Sequence, residues 1–258
     1  EKLEYPTETW AAQELRKGVA QLPTPNTASP DTIRAMSLDL FFDYLDLVAR
    51  LRPKVAIAEN VKGMILGNAK GYTKLIMARF RELGYRPQLF LVNSADCGVP
   101  QRRERVFFCA VRDDLDVPPL KLAPTHRWIS AERACSDVDS GPGNPRPNDL
   151  TYWHLTKPGQ SYSDTKKRLG QKEGCFSHIR LDGRLPATTL TANLQALTHW
   201  KYPRELNYAE AKRLGSFPDD YQAKTDRVGK YMVGMSVPPK MAEVVARAVC
   251  EQWLGVKS

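Results

Sequence analysis

Six apolar residues in a row, Val106-Phe107-Phe108-Cys109-Ala110-Val111, follow directly on Arg102, Arg103, Glu104 and Arg105. A run of that length reads as a buried strand. The chain must therefore build a sheet that hides it, and must hold a dense cationic cluster at its first residues. In an extended segment alternate side chains share a face, so Arg103 and Arg105 point one way and Arg102 and Glu104 the other. Two guanidiniums on one face make a rigid donor set suited to phosphate or a base edge. A solvated strand start, paired internally through Glu104, fits the spacing equally well.

The rest of the chain supplies the sheet's other parts. Leu38, Phe41, Phe42, Leu45 and Val48 recur at helical spacing from Ser37, and Arg52-Pro53 stops the helix. The segment KVAIAEN reads as a short buried strand ending in Glu59, and QLFLVNS as another. Between them a helix over about Thr73 to Leu83 ends at Gly84. Strands alternating with helices indicate an α/β sheet, at least partly parallel. From about 114 to 203 the sequence is rich in Pro, Gly, Ser and Asp and lacks long periodic segments, which indicates a small separate domain or a set of long loops. Regular pattern returns at Asn207, an N-cap candidate with Glu210 three residues on. A last helix opens at Pro238-Pro239 and carries Met241, Val244, Val245, Ala248 and Val249. Near the start, TETWAAQELRKGVAQL reads as a helix and LPTPNTASP as turn-rich.

Composition narrows the partners. With 258 residues and 42% apolar content the chain can bury a substantial core, and its net charge of +9 favours a polyanion, nucleic acid before anionic membrane. No apolar run approaches a membrane span. The five cysteines lack CxxC spacing, which suits free thiols in a reducing cytosol. Glu59 ends a strand, where ligands of open α/β sheets bind. A partly buried carboxylate there is easily kept protonated and can both donate and accept a proton, although a lone acid capping the next turn is the plainer alternative.

The order of short motifs decides between these. Leu40-Phe41-Phe42, then Glu59-Asn60-Val61, then Gln101, Arg103 and Arg105 in a Gln-x-Arg-x-Arg spacing, then Arg213-Leu214-Gly215-Ser216-Phe217-Pro218-Asp219, then Gly234-Met235-Ser236-Val237-Pro238-Pro239 follow one another along the chain. In that order they resemble the back half of a DNA cytosine carbon-5 methyltransferase. The resemblance covers roughly residues 37 to 113 and 180 to 250.

It implies an α/β fold: a Rossmann-like methyltransferase sheet with helices on both faces plus a small irregular target recognition domain. Residues 1–118 and 204–258 would form the catalytic domain and residues 119–203 the recognition domain. A cytosine in double-stranded DNA would be flipped into a pocket, attacked at carbon 6 by a cysteine thiolate, and methylated at carbon 5 from S-adenosylmethionine. Catalytic roles fall to Glu59, Arg105 and Arg103. Cofactor contacts fall to Leu40, Ser236 and Val237. DNA contacts fall to Asn60, Val61, Gln101, Arg102, Thr189 and Thr191. The implied setting is the cytoplasm of a bacterium or phage host, beside the nucleoid, with no metal and no membrane, and with kinship to restriction-modification enzymes. One branch of the family methylates transfer RNA instead.

Two family features are absent from the sequence. No cysteine follows a proline, so the Pro-Cys nucleophile motif is missing, and the first 36 residues hold only Gly18, so the glycine-rich cofactor turn is missing too. Met235 also stands where the family usually has Asn. The expectation is a chain that omits those segments; the alternatives are a second polypeptide supplying the cofactor half, or an inactive DNA-binding or regulatory subunit. Cys175 and His178 lie in a C-x-x-H spacing with Cys135 upstream, but a second ligand pair is not evident, so the spacing reads as a stray one. Tyr152, Trp153, His154 and Tyr162 are candidates for DNA contact or for a small core, with Trp153 assigned to the core. Lys166-Lys167-Arg168 reads as a phosphate-contacting or solvated patch.

Overall fold

The computed structural model describes residues 30–124, 126–138, 141–172, 178–192 and 196–256. The helix read at residues 7–22 and the thiol of Cys175 lie outside them. The chain divides into two compact units, Glu1–Arg52 and Pro53–Ser258.

In the first unit helix α1 (Pro30–Leu51) begins seven residues before the expected start, because Pro30 is tolerated in a first helical turn. Phe41, Leu45 and Val48, spaced four and three apart, are buried, while Leu40, Leu47 and Leu51 are exposed. The helix stops where expected: Arg52 adopts a positive φ of 49° directly before Pro53.

The second unit is built on strands β1 (Val55–Val61), β2 (Tyr85–Asn93) and β3 (Glu104–Arg112), in the order β1-β3-β2. Strand β3 is the buried apolar run, and it lies antiparallel to both neighbours. The strands β1 and β2 thus run in the same direction without touching. The expectation of a partly parallel sheet is not met here: both hydrogen-bonded pairs of this sheet are antiparallel, because the apolar run of β3 inserts between β1 and β2 in the opposite direction.

Register assigns the two faces. Phe107, Cys109 and Val111 of β3 share a face with Val92 of β2, and helix α8 (Pro239–Trp253) covers it with Met241, Val245, Val249 and Trp253. Phe108 and Tyr85 occupy the opposite side, where helix α2 (Lys70–Glu82) buries Ile76 and Phe80, the latter edge-on to Tyr85 at 6.4 Å. Helices therefore cover both faces, as the sequence implied. Gly84 (φ 77°) ends α2 in the left-handed conformation that glycine adopts without a Cβ penalty.

Between β3 and residue 203 the described residues form short elements: α3 (Ala131–Ala134), α4 (Pro147–Tyr152), α5 (Tyr162–Arg168), and the two-residue parallel strands β4 (Ile179–Arg180) and β5 (Leu197–Thr198). Helices α6 (Tyr208–Leu214) and α7 (Asp226–Met235) follow. Ala131, Cys135, Leu181, Leu190 and Leu197 share one apolar cluster with Leu206, Ala211, Leu214 and Val233, so the irregular stretch packs on the helices after residue 203. Asn207 caps α6 in the expected box with Glu210. Glu210 is fully buried and takes a two-pronged ion pair from Arg204 at 2.8 and 3.0 Å. Trp153 is a core residue, with Nε1 donating to the His199 carbonyl and the Arg180 guanidinium 3.5 Å over its ring. Among the described residues no helix is long and apolar enough to cross a membrane.

Candidate active site

Glu59 sits near the carboxyl end of β1, opposite Phe107, and Arg105 stands at the start of β3, opposite Val61. Residues paired across an antiparallel ladder, and those two positions away, share a face. Both side chains therefore emerge on the face that α8 covers further along the strands, just past its apolar cluster. There Arg105 Nε comes within 2.9 Å of Glu59 Oε1. The oxygen is buried yet accepts no aligned hydrogen bond. The contact is an ion pair with unused acceptor capacity. Burial raises the Glu59 carboxyl above its ordinary value, against the lowering pull of Arg105 and then Arg103.

Arg103 lies on the same side as Arg105, as alternation requires, but its environment differs. It is 3% exposed, and Nη1 donates to the Leu190 carbonyl at 2.5 Å. Burial, with repulsion from Arg105, pulls its pKa down to about 10. Its Nε is buried without a partner. The opposite side holds Glu104, which pairs with Lys62 at 2.8 Å rather than with the neighbouring arginines. The internal pairing that the spacing allowed is thus replaced by a pairing to the turn after β1.

The motif loop before β3 is fastened at several points. Ser94, after β2, donates its hydroxyl to the Gln101 carbonyl at 2.5 Å and accepts from Arg103 N at 3.0 Å. On the other side Ala187 N donates to the Pro100 carbonyl and Arg102 N donates to the Ala187 carbonyl, at 2.9 and 2.8 Å. Thr189 Oγ1 donates to the Arg102 carbonyl at 2.9 Å, so that hydroxyl's proton is committed within the protein. Thr191, two residues on, is exposed. Its carbonyl lies against Gly234 of α7, where a Cβ would collide with it. The threonine-bearing segment is thus clasped between the arginine motif and the motif that ends α7.

Asn60 accepts from Val61 N through its own Oδ1 at 2.8 Å, and Val61 is exposed. Gln101 is 1% exposed, which removes its side chain from the surface where a DNA contact was expected. Arg102 is half-buried. Leu40 is exposed on α1. Ser236 caps α7, its hydroxyl donating to the Met232 carbonyl at 2.6 Å, and Val237 packs against the α8 cluster. Cys97 is buried, and burial with the nearby Asp96 pushes its thiol up to about 11, the opposite of an activated nucleophile. Cys135 is a core thiol in the second cluster, pushed up by burial to about 12.

Sequence pattern carries no site signal for Ser94 or Leu190, and marks Gly234 only as part of the motif Gly234-Met235-Ser236-Val237-Pro238-Pro239. Two open hollows of about 610 and 650 Å³ lie along α8 and the segment around Ile129; neither is lined by Glu59 or Arg105.

The family model for the C-5 cytosine-specific DNA methylase matches residues 30–251. The type II methyltransferase M.NgoFVII of Neisseria gonorrhoeae is 30% identical over 236 residues, covering 82% of this chain and 62% of that protein. The type II methyltransferase M.BbvI of Brevibacillus brevis is 31% identical over 229 residues, covering 80% of this chain and 60% of that protein. The chain thus spans about three fifths of the length of these relatives. In fold it is similar to a crystal structure described as a DNA modification methyltransferase encoded within an E. coli prophage, at a TM-score of 0.63 and 20% identity, with 85% of this chain and 75% of that one covered.

Proposed function

The chain belongs to the C-5 cytosine-specific DNA methylase family, and from that membership we propose that the protein methylates carbon 5 of a flipped-out cytosine in double-stranded DNA. The observation that carries this reading is the Glu59–Arg105 pair, formed where β1 ends and β3 begins. A carboxyl whose pKa is raised by burial can stay protonated beside a base and donate to ring nitrogen 3 while its other oxygen accepts from the exocyclic amine. Arg105 keeps that carboxyl in place and brings a positive charge to the base edge as electron density builds on the ring. Arg103, held by Leu190, supports the pair electrostatically. Asn60, Val61 and Arg102 are assigned to DNA contact, and so is Thr191, the exposed threonine of the segment held against the arginine motif. Residues 119–203 are assigned to target recognition.

S-adenosylmethionine supplies the methyl group in this reading. The described residues fit it only in part. Ser236 spends its hydroxyl on the Met232 carbonyl, Val237 is packed in the apolar cluster, Leu40 is exposed in the separate first unit, and no glycine-rich turn occurs among them. The attacking thiol is assigned to none of the five cysteines of this sequence.

The test uses the full-length protein, a labelled methyl donor and either duplex DNA or transfer RNA. The expected product is 5-methylcytosine in DNA. Label only in transfer RNA moves the substrate class, and label in neither overturns the reading.

A further inference from the structure

Gln101 is wholly occupied inside the protein. Its Oε1 accepts from Leu190 N at 2.9 Å, and its Nε2 lies 3.5 Å from the Leu214 carbonyl at the end of α6, the limit of a hydrogen bond. Its own carbonyl accepts from Ser94 Oγ and its own N–H donates to the Val99 carbonyl. One residue thus touches the end of β2, the segment Ala187–Leu190 and the end of α6.

The backbone does not do this work. Between Pro100–Arg103 and Ala187–Leu190 the main-chain bonds are the two made by Ala187, one to the Pro100 carbonyl and one from Arg102 N. Past Ala187 the contacts are carried by side chains: Thr189 Oγ1 to Arg102, Gln101 Oε1 to Leu190 N, and Arg103 Nη1 to the Leu190 carbonyl. Leu190 therefore presents both of its main-chain polar groups to the Gln-x-Arg motif. A slip of one residue in an extended segment turns every side chain to the other face, and here it would turn Thr189 and Thr191.

We infer that Gln101 is a positioning residue: by holding Leu190 N it sets the register of the segment Ala187–Thr191 against the arginine strand, and with it the angle at which a bound target base meets Glu59 and Arg105. The consequence for catalysis rests on the proposed function; the linkage itself does not. Glutamine suits the task because it is long enough to reach and carries an acceptor and a donor without a charge to bury.

The experiment compares the full-length protein with Gln101→Met, which keeps length but has no hydrogen-bonding amide, and with Gln101→Glu, which keeps the acceptor. Amide hydrogen exchange is read in the peptide that holds Leu190. The Met variant is expected to speed exchange there about 5-fold or more, and the Glu variant to leave it protected. With cognate DNA, kcat per folded protein should fall about 10-fold in the Met variant while KM for DNA changes less than about 2-fold, and the Glu variant should recover most of it. Unchanged exchange at Leu190 overturns the inference. So does a Met variant that melts earlier but keeps wild-type kcat per folded molecule. Should the Met variant not fold, the Glu variant carries the test, and loss of protection in it has the same force. If the wild-type protein methylates no nucleic acid, the proposed function fails and the exchange measurement still decides the linkage.

Discussion

Glu59 and Arg105 meet diagonally across the β1–β3 pair: Glu59 lies opposite Phe107 and Arg105 opposite Val61, yet Arg105 Nε reaches within 2.9 Å of Glu59 Oε1. The oblique approach brings charge to charge without aligning an N–H on the oxygen. It keeps the carboxyl in place and leaves its lone pairs for something else.

Glu59→Gln keeps the size and removes the transferable proton. The full-length variant is expected to fold with wild-type cooperativity and to lose methyl transfer by about 100- to 10,000-fold. Steady-state rates on duplex DNA check this, and turnover within a few-fold of wild type would sink the assignment.

The pH dependence of Glu59 has a definite sign. Its folded pKa lies above the ordinary 4.5 because desolvation outweighs Arg105 and Arg103. The group therefore contributes stability that is present below the unfolded value and is lost as pH rises through the folded value. Urea unfolding should show Glu59→Gln gaining stability relative to wild type as pH rises above the ordinary carboxyl value of 4.5. Removing the counter-charge with Arg105→Met should raise the carboxyl further, read as an upward shift of its carbon-13 titration; a downward shift contradicts the pairing.

The two arginines before Glu104 and Arg105 separate by burial. Arg103→Ala removes a buried donor from the Leu190 carbonyl and should cost about 1–3 kcal/mol of stability. Arg102→Ala should chiefly weaken DNA affinity at low salt, an effect that added salt masks. Equal stability losses in denaturant titrations would contradict the split.

Gly234→Ala places a methyl against the Thr191 carbonyl, where backbone must move. A loss of about 1–3 kcal/mol is expected, together with altered spectra for residues 187–192 if these are followed by NMR. A neutral substitution would mean that the segment is not held against α7.

Glu210→Ala leaves the Arg204 guanidinium buried without its main counter-charge and removes half of the α6 capping box. The expected cost is about 3–5 kcal/mol. Thermal or urea unfolding decides it, and a loss under about 1 kcal/mol would show that the pair is relieved by neighbours.

Local signals carried much of this into the sequence. Val55-Ala56-Ile57-Ala58, the Gly84 stop and the Asn207–Glu210 box depend on residues a few positions apart, and all three lie where pattern placed them. Alternation alone put Arg103 and Arg105 on one side. What pattern could not reach is the set of partners. Arg103 finds Leu190 across 87 residues and Gln101 finds it across 89, through backbone groups that every residue possesses. A polar motif residue therefore looked like a nucleic-acid contact although it is buried. Glu104 looked like the neighbour that would neutralise the arginines, while its partner, Lys62, lies 42 residues away.

The irregular stretch leaves the sheet and returns to it at nearly one place. His126 N bonds the Asp96 carbonyl and Trp128 Nε1 bonds the Asp96 carboxylate, and at the far end Ala187 N bonds the Pro100 carbonyl. Departure and arrival are thus pinned within five residues of each other on the same short turn. For a detour whose ends already meet, the closure entropy grows only with the logarithm of its length. Insertions and deletions between residues 128 and 187 then tax the sheet very little. A lineage could lengthen or trim this detour freely while the Glu59–Arg105 geometry is inherited unchanged.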